Sequence, residues 1–188
     1  MAYSDWSNRK PVLNYIRQSI ASISKGTIEI LDLGMGAGCF GKLIKEKIDS
    51  HIKITGVEVW ERYRNSRWDF YNEITLKDIR EFIKEEQRKF DIILFLDVLE
   101  HFDKFQGREI LDFAMRQAKQ AILLSTPITK YPQGACGGNP FEEHRSTWTD
   151  DELFAVGFKA LRYRWVPTFK LRPFFALYGV YVFERIPQ

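Results

Sequence analysis

Apolar residues recur along this chain with two alternating periods. Short runs, apolar at every position or every second one, are followed by longer runs in which apolar residues return every three or four. Near the start, Val12, Leu13, Ile16, Ile20 and Ile23 keep helical spacing, and Pro11 suits a first helical turn, so a helix is expected within residues 1–25. The stretch "TIEILDL" predicts a strand, and Phe40, Leu43, Ile44 and Ile48 then share one face of a helix starting near Cys39. "IKITGVEV" and "EITLKDI" predict a second and a third strand. "FDIILFLDV" is nearly continuous in apolar residues, the pattern of a strand buried on both faces. Ile110, Leu111, Ala114, Met115 and Ala118 mark an amphipathic helix, and "QAILLSTP" a fifth strand. In "TDDELFAVGF", Thr149 and Glu152 fit a capping box and Gly157 fits the stop of a short helix. "FKALRYRWV" and "FFALYGVYVFE" leave no room for a helix between them, so they are expected to pair antiparallel.

Strand–helix alternation of this kind implies an α/β fold with helices on both faces of the sheet. The expectation is a seven-stranded, mostly parallel, doubly wound sheet with an antiparallel C-terminal strand pair. No linker or repeat divides the chain, and 188 residues suit one domain spanning 1–188. A net charge of +3 is too small to argue for a nucleic-acid partner. The opening "MAYSDWSNRK" has no apolar core of a secretory signal, and "IILFL" is far too short to cross a bilayer. The two cysteines, Cys39 and Cys136, make no disulfide framework. Together these features lead us to expect a soluble, reduced, cytoplasmic protein with no membrane partner.

In doubly wound sheets, ligands bind at the carboxyl ends of the strands. Here those ends read Asp32–Gly38, Glu58–Trp60, Asp78–Ile79, Asp97–His101 and Ser125–Pro127, and an acid at four of them favours a cationic or hydroxyl-rich ligand. The glycines after the first strand carry two overlapping fingerprints. From Gly36 to Gly41 they read G-x-G-x-x-G, the dinucleotide pattern; from Asp32 they read D-x-G-x-G-x-G. A dinucleotide would bring an anionic pyrophosphate to this turn, where a carboxylate at Asp32 is unwelcome. S-adenosylmethionine carries a sulfonium and an ammonium and no phosphate, so acids suit it. Glu58 follows Gly36 at a spacing at which an acid takes ribose hydroxyls of either ligand, so it does not discriminate.

With "LDLGMGAG", "GVEVW", "KDI", "LFLDVLEH" and "LLSTP" in this order, the chain resembles the class I, Rossmann-like S-adenosylmethionine-dependent methyltransferases over roughly residues 27–185. The resemblance implies that Asp32, Gly34, Gly36 and Gly38 hold the methionine end of the cofactor. It implies that Glu58 binds the ribose and that Val59 or Trp60 packs on the adenine. Asp78 and Ile79 would read the adenine edge, and Asp97 and Val98 would border the sulfonium and the acceptor. The implied cofactor is S-adenosylmethionine, with S-adenosylhomocysteine as product, and the implied partner is a small-molecule methyl acceptor. The run "ERYRNSRWDFYN" after Trp60 departs from the family by being too short and too aromatic for a full helix.

On the acceptor side, His101 and His144 are the candidate catalytic residues, with Glu100 beside them. His101 either caps the loop after the fourth strand or moves a proton; histidine's pKa suits the second role. His144 lies in a run, "H…T…EL…GF", similar to one in small-molecule methyltransferases of the ubiquinone-biosynthesis type; its alternative is a structural hydrogen bond near a helix start. Residues 128–147 are rich in Pro and Gly and are read as a lid over the acceptor pocket, with Tyr131, Phe141, His144 and Arg145 as lining. Arg162, Arg164, Lys170 and Arg172 in the last strand pair suit either an anionic acceptor or, as we favour, a solvated face. No His/Cys cluster has zinc-ligand spacing, so no metal is expected. The Asn-Pro-Pro-aromatic motif of nucleic-acid amino-methylating enzymes is absent, which favours a small acceptor over a base in DNA; methylation at oxygen is expected by analogy with the family. Two rivals remain: a non-enzymatic module that keeps this fold for binding, and an NAD-dependent oxidoreductase.

Overall fold

The computed structural model describes residues 9–21, 26–48, 51–167 and 175–185. A seven-stranded sheet in the order β3-β2-β1-β4-β5-β7-β6 forms its centre. The parallel strands are β1 (Ile28–Leu33), β2 (Ile52–Glu58), β3 (Glu73–Leu76), β4 (Phe90–Leu96) and β5 (Ala118–Pro127). The last two, β6 (Lys159–Pro167) and β7 (Phe175–Glu184), are antiparallel to their neighbours, as the missing helix between them required. The helices are α1 (Arg9–Ala21), α2 (Cys39–Lys47), α3 (Ile79–Glu85), α4 (Lys104–Gln117) and α5 (Asp150–Ala155).

Period-two alternation along each strand divides the core between the two faces of the sheet. In β4, Ile92, Leu94 and Leu96 pack with Val12 and Ile16 of α1 and Phe40 and Ile44 of α2. Ile93 and Phe95 pack on the opposite face, with Phe82 of α3 and Ile110 and Phe113 of α4, and Phe90 joins them across the register irregularity between Phe90 and Ile92. Every residue of β4 is buried, which is why its sequence is continuous rather than alternating. The capping box of α5 is present, with Thr149 Oγ1 accepting from the Glu152 N–H and Glu152 accepting from the Thr149 N–H, and Gly157 ends the turn at φ 96°.

One local expectation is corrected and another holds. The third strand stops at Leu76, and Asp78 is not in it: its side chain accepts from the Arg80 N–H at 2.8 Å and caps α3, a helix the strand reading had overlooked. Between Trp60 and Glu73 the chain makes two short 3-10 turns, Glu61–Tyr63 and Ser66–Phe70, in place of a helix. Ile23, Lys170 and Arg172 lie outside the described residues. Arg162 is exposed. No helix among the described residues is long and apolar enough to cross a membrane.

Candidate functional site

β1 and β4 lie side by side while their chain connections run to opposite edges of the sheet, and this switch point opens a crevice beyond their carboxyl ends. A cavity of about 450 Å³ occupies it. Its walls come from the turn after β1 (Gly34, Gly36), the end of β2 (Glu58, Val59), the start of α3 (Asp78, Ile79) and the end of β4 (Asp97, Val98, Glu100, His101). The loop after β5 closes it with Tyr131, Gln133, Cys136, Asn139, Phe141, Glu142 and Arg145.

The glycine turn is held from below and from the side. Gly34 has φ 74°, and a Cβ there would come within 2.6 Å of Val98, so only glycine lets the β1 and β4 ends approach. The Gly36 N–H donates to Glu58 Oε2 at 2.8 Å, while Glu58 Oε1 accepts from the N–H groups of Val59 and Trp60 at 3.0 and 2.8 Å. One carboxylate thus ties two strand ends together. Burial raises the pKa of Glu58, and the three N–H donors oppose that. The Gly36 carbonyl accepts from Trp68 Nε1 at 2.9 Å, and the Ala37 carbonyl from Asn65 Nδ2 at 3.0 Å. The short turns after Trp60 therefore brace the glycine turn, which is their use in place of a helix.

Asp32 takes a different position from the one its motif implied. It is 3% exposed and does not line the cavity. Its Oδ2 accepts from the Tyr71 hydroxyl at 2.6 Å, and that hydroxyl accepts in turn from the Gly41 N–H at 3.1 Å, in the first turn of α2. A first-turn amide has no partner within its own helix, so Tyr71 supplies one and Asp32 anchors Tyr71. Gly41 is glycine because a Cβ would meet the Tyr71 ring at 2.2 Å. Burial pushes the Asp32 carboxyl up to about 7, helped by the nearby Glu58 and opposed by the Tyr71 bond. Gly38 and Trp60 likewise fall outside the cavity wall; Gly38 precedes α2, and the Trp60 ring tilts against Phe141 at 6.4 Å. Tyr71, Trp68 and Asn65 escaped the sequence reading; their only signal was the aromatic density of "RNSRWDFYN".

At the β4 end, Asp97 sits at φ 56°, unusual for a residue with a side chain, and its Oδ1 accepts from the Ser125 hydroxyl at 2.6 Å. Asp78 is pushed up by burial but held below the usual carboxylate range overall by the Arg80 guanidinium, 2.6 Å away.

The wall of the cavity beyond β4 and β5 is built from the two ends of one hydrogen-bonded loop. The N–H groups of Arg145 and Ser146 donate to the Glu100 carbonyl at 2.8 and 3.1 Å, and the His144 N–H to the Gln133 carbonyl at 2.9 Å. This brings His144 beside His101, ring centroids 5.0 Å apart. His101 and, from the expected lining, Tyr131, Phe141 and Arg145 face the cavity, but His144 does not. Burial lowers both imidazoles, His144 to about 4 with help from His101. Across the cavity, the Tyr63 hydroxyl donates to Glu142 Oε1 at 2.8 Å and accepts from Asn139 Nδ2 at 3.1 Å. These bonds latch the loop onto the turn after β2. Arg162 and Arg164 do not line the cavity.

No protein-family model matches the chain, and no curated protein sequence does. Solved structures do. The 1,6-didemethyltoxoflavin-N1-methyltransferase of Burkholderia thailandensis, with bound 1,6-didemethyltoxoflavin and S-adenosylhomocysteine, superposes with a TM-score of 0.66 at 16% identity over 97% of this chain and 80% of that one. The magnesium protoporphyrin IX methyltransferase of Synechocystis PCC 6803, with bound S-adenosylmethionine, gives 0.58 at 13% identity over 97% and 86%. The N-methyltransferase NodS of Bradyrhizobium japonicum WM9 gives 0.56 at 15% over 97% and 100%. With its strand order, antiparallel C-terminal pair and cavity at the switch point, the chain has the α/β fold of the class I S-adenosylmethionine-dependent methyltransferases.

Proposed function

We propose that the protein transfers a methyl group from S-adenosylmethionine to an oxygen of a small molecule. The observation that carries this reading is one cavity bordered by the glycine turn, Glu58, Asp78 and Asp97 together. The structural neighbours solved with S-adenosylmethionine or S-adenosylhomocysteine support the cofactor. In this reading Gly34 and Gly36 border the methionine end, Glu58 takes the ribose hydroxyls, and Val59 packs on the adenine. Asp78 and Ile79 contact the adenine edge, and Asp97 and Val98 border the sulfonium. Asp32 and Gly38 act through the turn's shape, and Trp60 through its packing on Phe141. Residues 128–147 form the acceptor-side lid of this one methyltransferase domain.

Methyl transfer is an in-line displacement: the acceptor oxygen forms a bond to the methyl carbon while the carbon–sulfur bond breaks, its electron pair staying on sulfur as S-adenosylhomocysteine forms. Catalysis then rests on alignment, and the acceptor's proton must leave. In this reading His101, which lines the cavity, receives it, and His144, whose ring lies against that of His101, orients it. The Glu58 carboxylate on the Gly36 N–H argues against NAD, because it puts an anion where a pyrophosphate would need donors. Replacing Glu58 with alanine should weaken S-adenosylhomocysteine binding about tenfold or more, by the usual strength of a charge-assisted bond. Unchanged affinity in calorimetric titration would remove Glu58 from the cofactor site.

A further inference from the structure

We propose that Glu100, His101 and His144 form a binding site for one divalent first-row transition-metal ion, with zinc the best fit, on the acceptor side of the cavity. Their ligand atoms all lie within 4.8 Å of one another. Ligands sharing one ion at ~2.1 Å sit about 3–4 Å apart, so closing on a metal takes side-chain shifts of only about 1 Å. The ligands come from two elements that the backbone already locks together, through the Arg145 and Ser146 amides on the Glu100 carbonyl.

Two further features fit a cation. Glu100 is 1% exposed, and among the described residues no lysine or arginine pairs with it. Among the described residues, its Oε2 accepts from the Thr126 hydroxyl at 3.1 Å, a neutral donor, and the Glu100 backbone amide is a second neutral donor. His144 is set as metal-binding histidines are. Nδ1 of His144 lies 2.7 Å from the Tyr131 carbonyl, and Nδ1 of His101 lies 3.3 Å from that of Glu143. A carbonyl only accepts, so the Tyr131 contact favours the proton on Nδ1 and leaves Nε2 of His144 as its ligand atom, whereas the His101 ring also hydrogen-bonds the Asp97 and Glu142 backbone and exchanges those bonds for the ion. Two imidazoles and one carboxylate suit zinc, cobalt or manganese better than magnesium or calcium, which take oxygen ligands. Glu100 and His101 line the cavity, so coordination positions left on that side face the acceptor. There the ion would hold the acceptor's oxygen and lower its pKa so that its proton leaves to solvent, with His101 serving as a ligand instead of as the proton acceptor. That role rests on the methyl-transfer reading; the site itself does not.

The test uses the full chain stripped with a chelator. Calorimetric titration with zinc chloride should give one saturable equivalent. Cobalt chloride should give visible bands of nitrogen and oxygen ligation without a thiolate charge-transfer band, since Cys136 also lines the cavity. His144→Ala and Glu100→Gln should each lose zinc affinity on the order of 100-fold, while Cys136→Ser keeps it. Absence of a stoichiometric site, a thiolate band, or full zinc affinity in both ligand variants would overturn the proposal. Circular dichroism checks that the variants fold, and the wild-type cobalt spectrum decides by itself if they do not. S-adenosylhomocysteine titrated in parallel separates the readings. Its binding without zinc binding refutes the metal alone, and the converse refutes the cofactor alone.

Discussion

Tyr71 joins a buried acid to the open end of a helix, and both partners depend on it. Removing its hydroxyl leaves the Gly41 amide and the Asp32 carboxyl each without this bond. Tyr71→Phe should therefore cost about 2 kcal/mol or more, the range for stranding buried polar groups, in urea denaturation. A cost below ~0.5 kcal/mol would show that these bonds do not hold the turn. The same acid makes stability depend on pH. The folded value of Asp32, about 7, lies above its ordinary 3.8, so the folded chain holds this proton more tightly. Its contribution is full below the ordinary value and fades as pH rises through about 7. Wild type should lose stability relative to Asp32→Asn across that window, and a difference flat in pH would contradict the assignment. The sequence revealed Asp32 as special but not its partner. The aspartate and tyrosine are far apart in the chain, and the packing of the Ser66–Phe70 turn against α2 brings them together.

At the scale of elements, the strands were legible because burial on two faces writes itself as continuous apolar sequence, as in β4. The α5 boundaries were legible because capping chemistry is local. The start of α3 was not: Asp78 follows a β-like run, and a cap at the end of a strand reads as more strand. The loop of residues 128–147 was recognisable by composition alone, whereas its latch to Tyr63 could not be read, since that contact crosses the cavity. The latch predicts slow exchange of a bound cofactor. Tyr63→Phe removes the hydroxyl that serves both Glu142 and Asn139, and should speed S-adenosylhomocysteine release about tenfold, the worth of roughly one hydrogen bond. Stopped-flow dissociation measures this; an unaltered rate would mean that the loop does not gate the cavity.

For the molecule as a whole, parallel strands bring their carboxyl ends to one edge, and the reversal between β1 and β4 opens the crevice there. Motif residues scattered from Gly34 to Val98 meet at one cavity for this reason. The Glu100–His101–His144 wall is different. Glu100 and His101 belong to the β4 end, but His144 reaches them only through a long loop, so no sequence spacing could announce the cluster. The central claim is that this crevice takes S-adenosylmethionine and not a dinucleotide. Calorimetric titration of the full chain with S-adenosylhomocysteine and with NAD tests it most directly. Saturable one-to-one binding of S-adenosylhomocysteine with no measurable heat from NAD is the expected result, and binding of NAD without S-adenosylhomocysteine would contradict it.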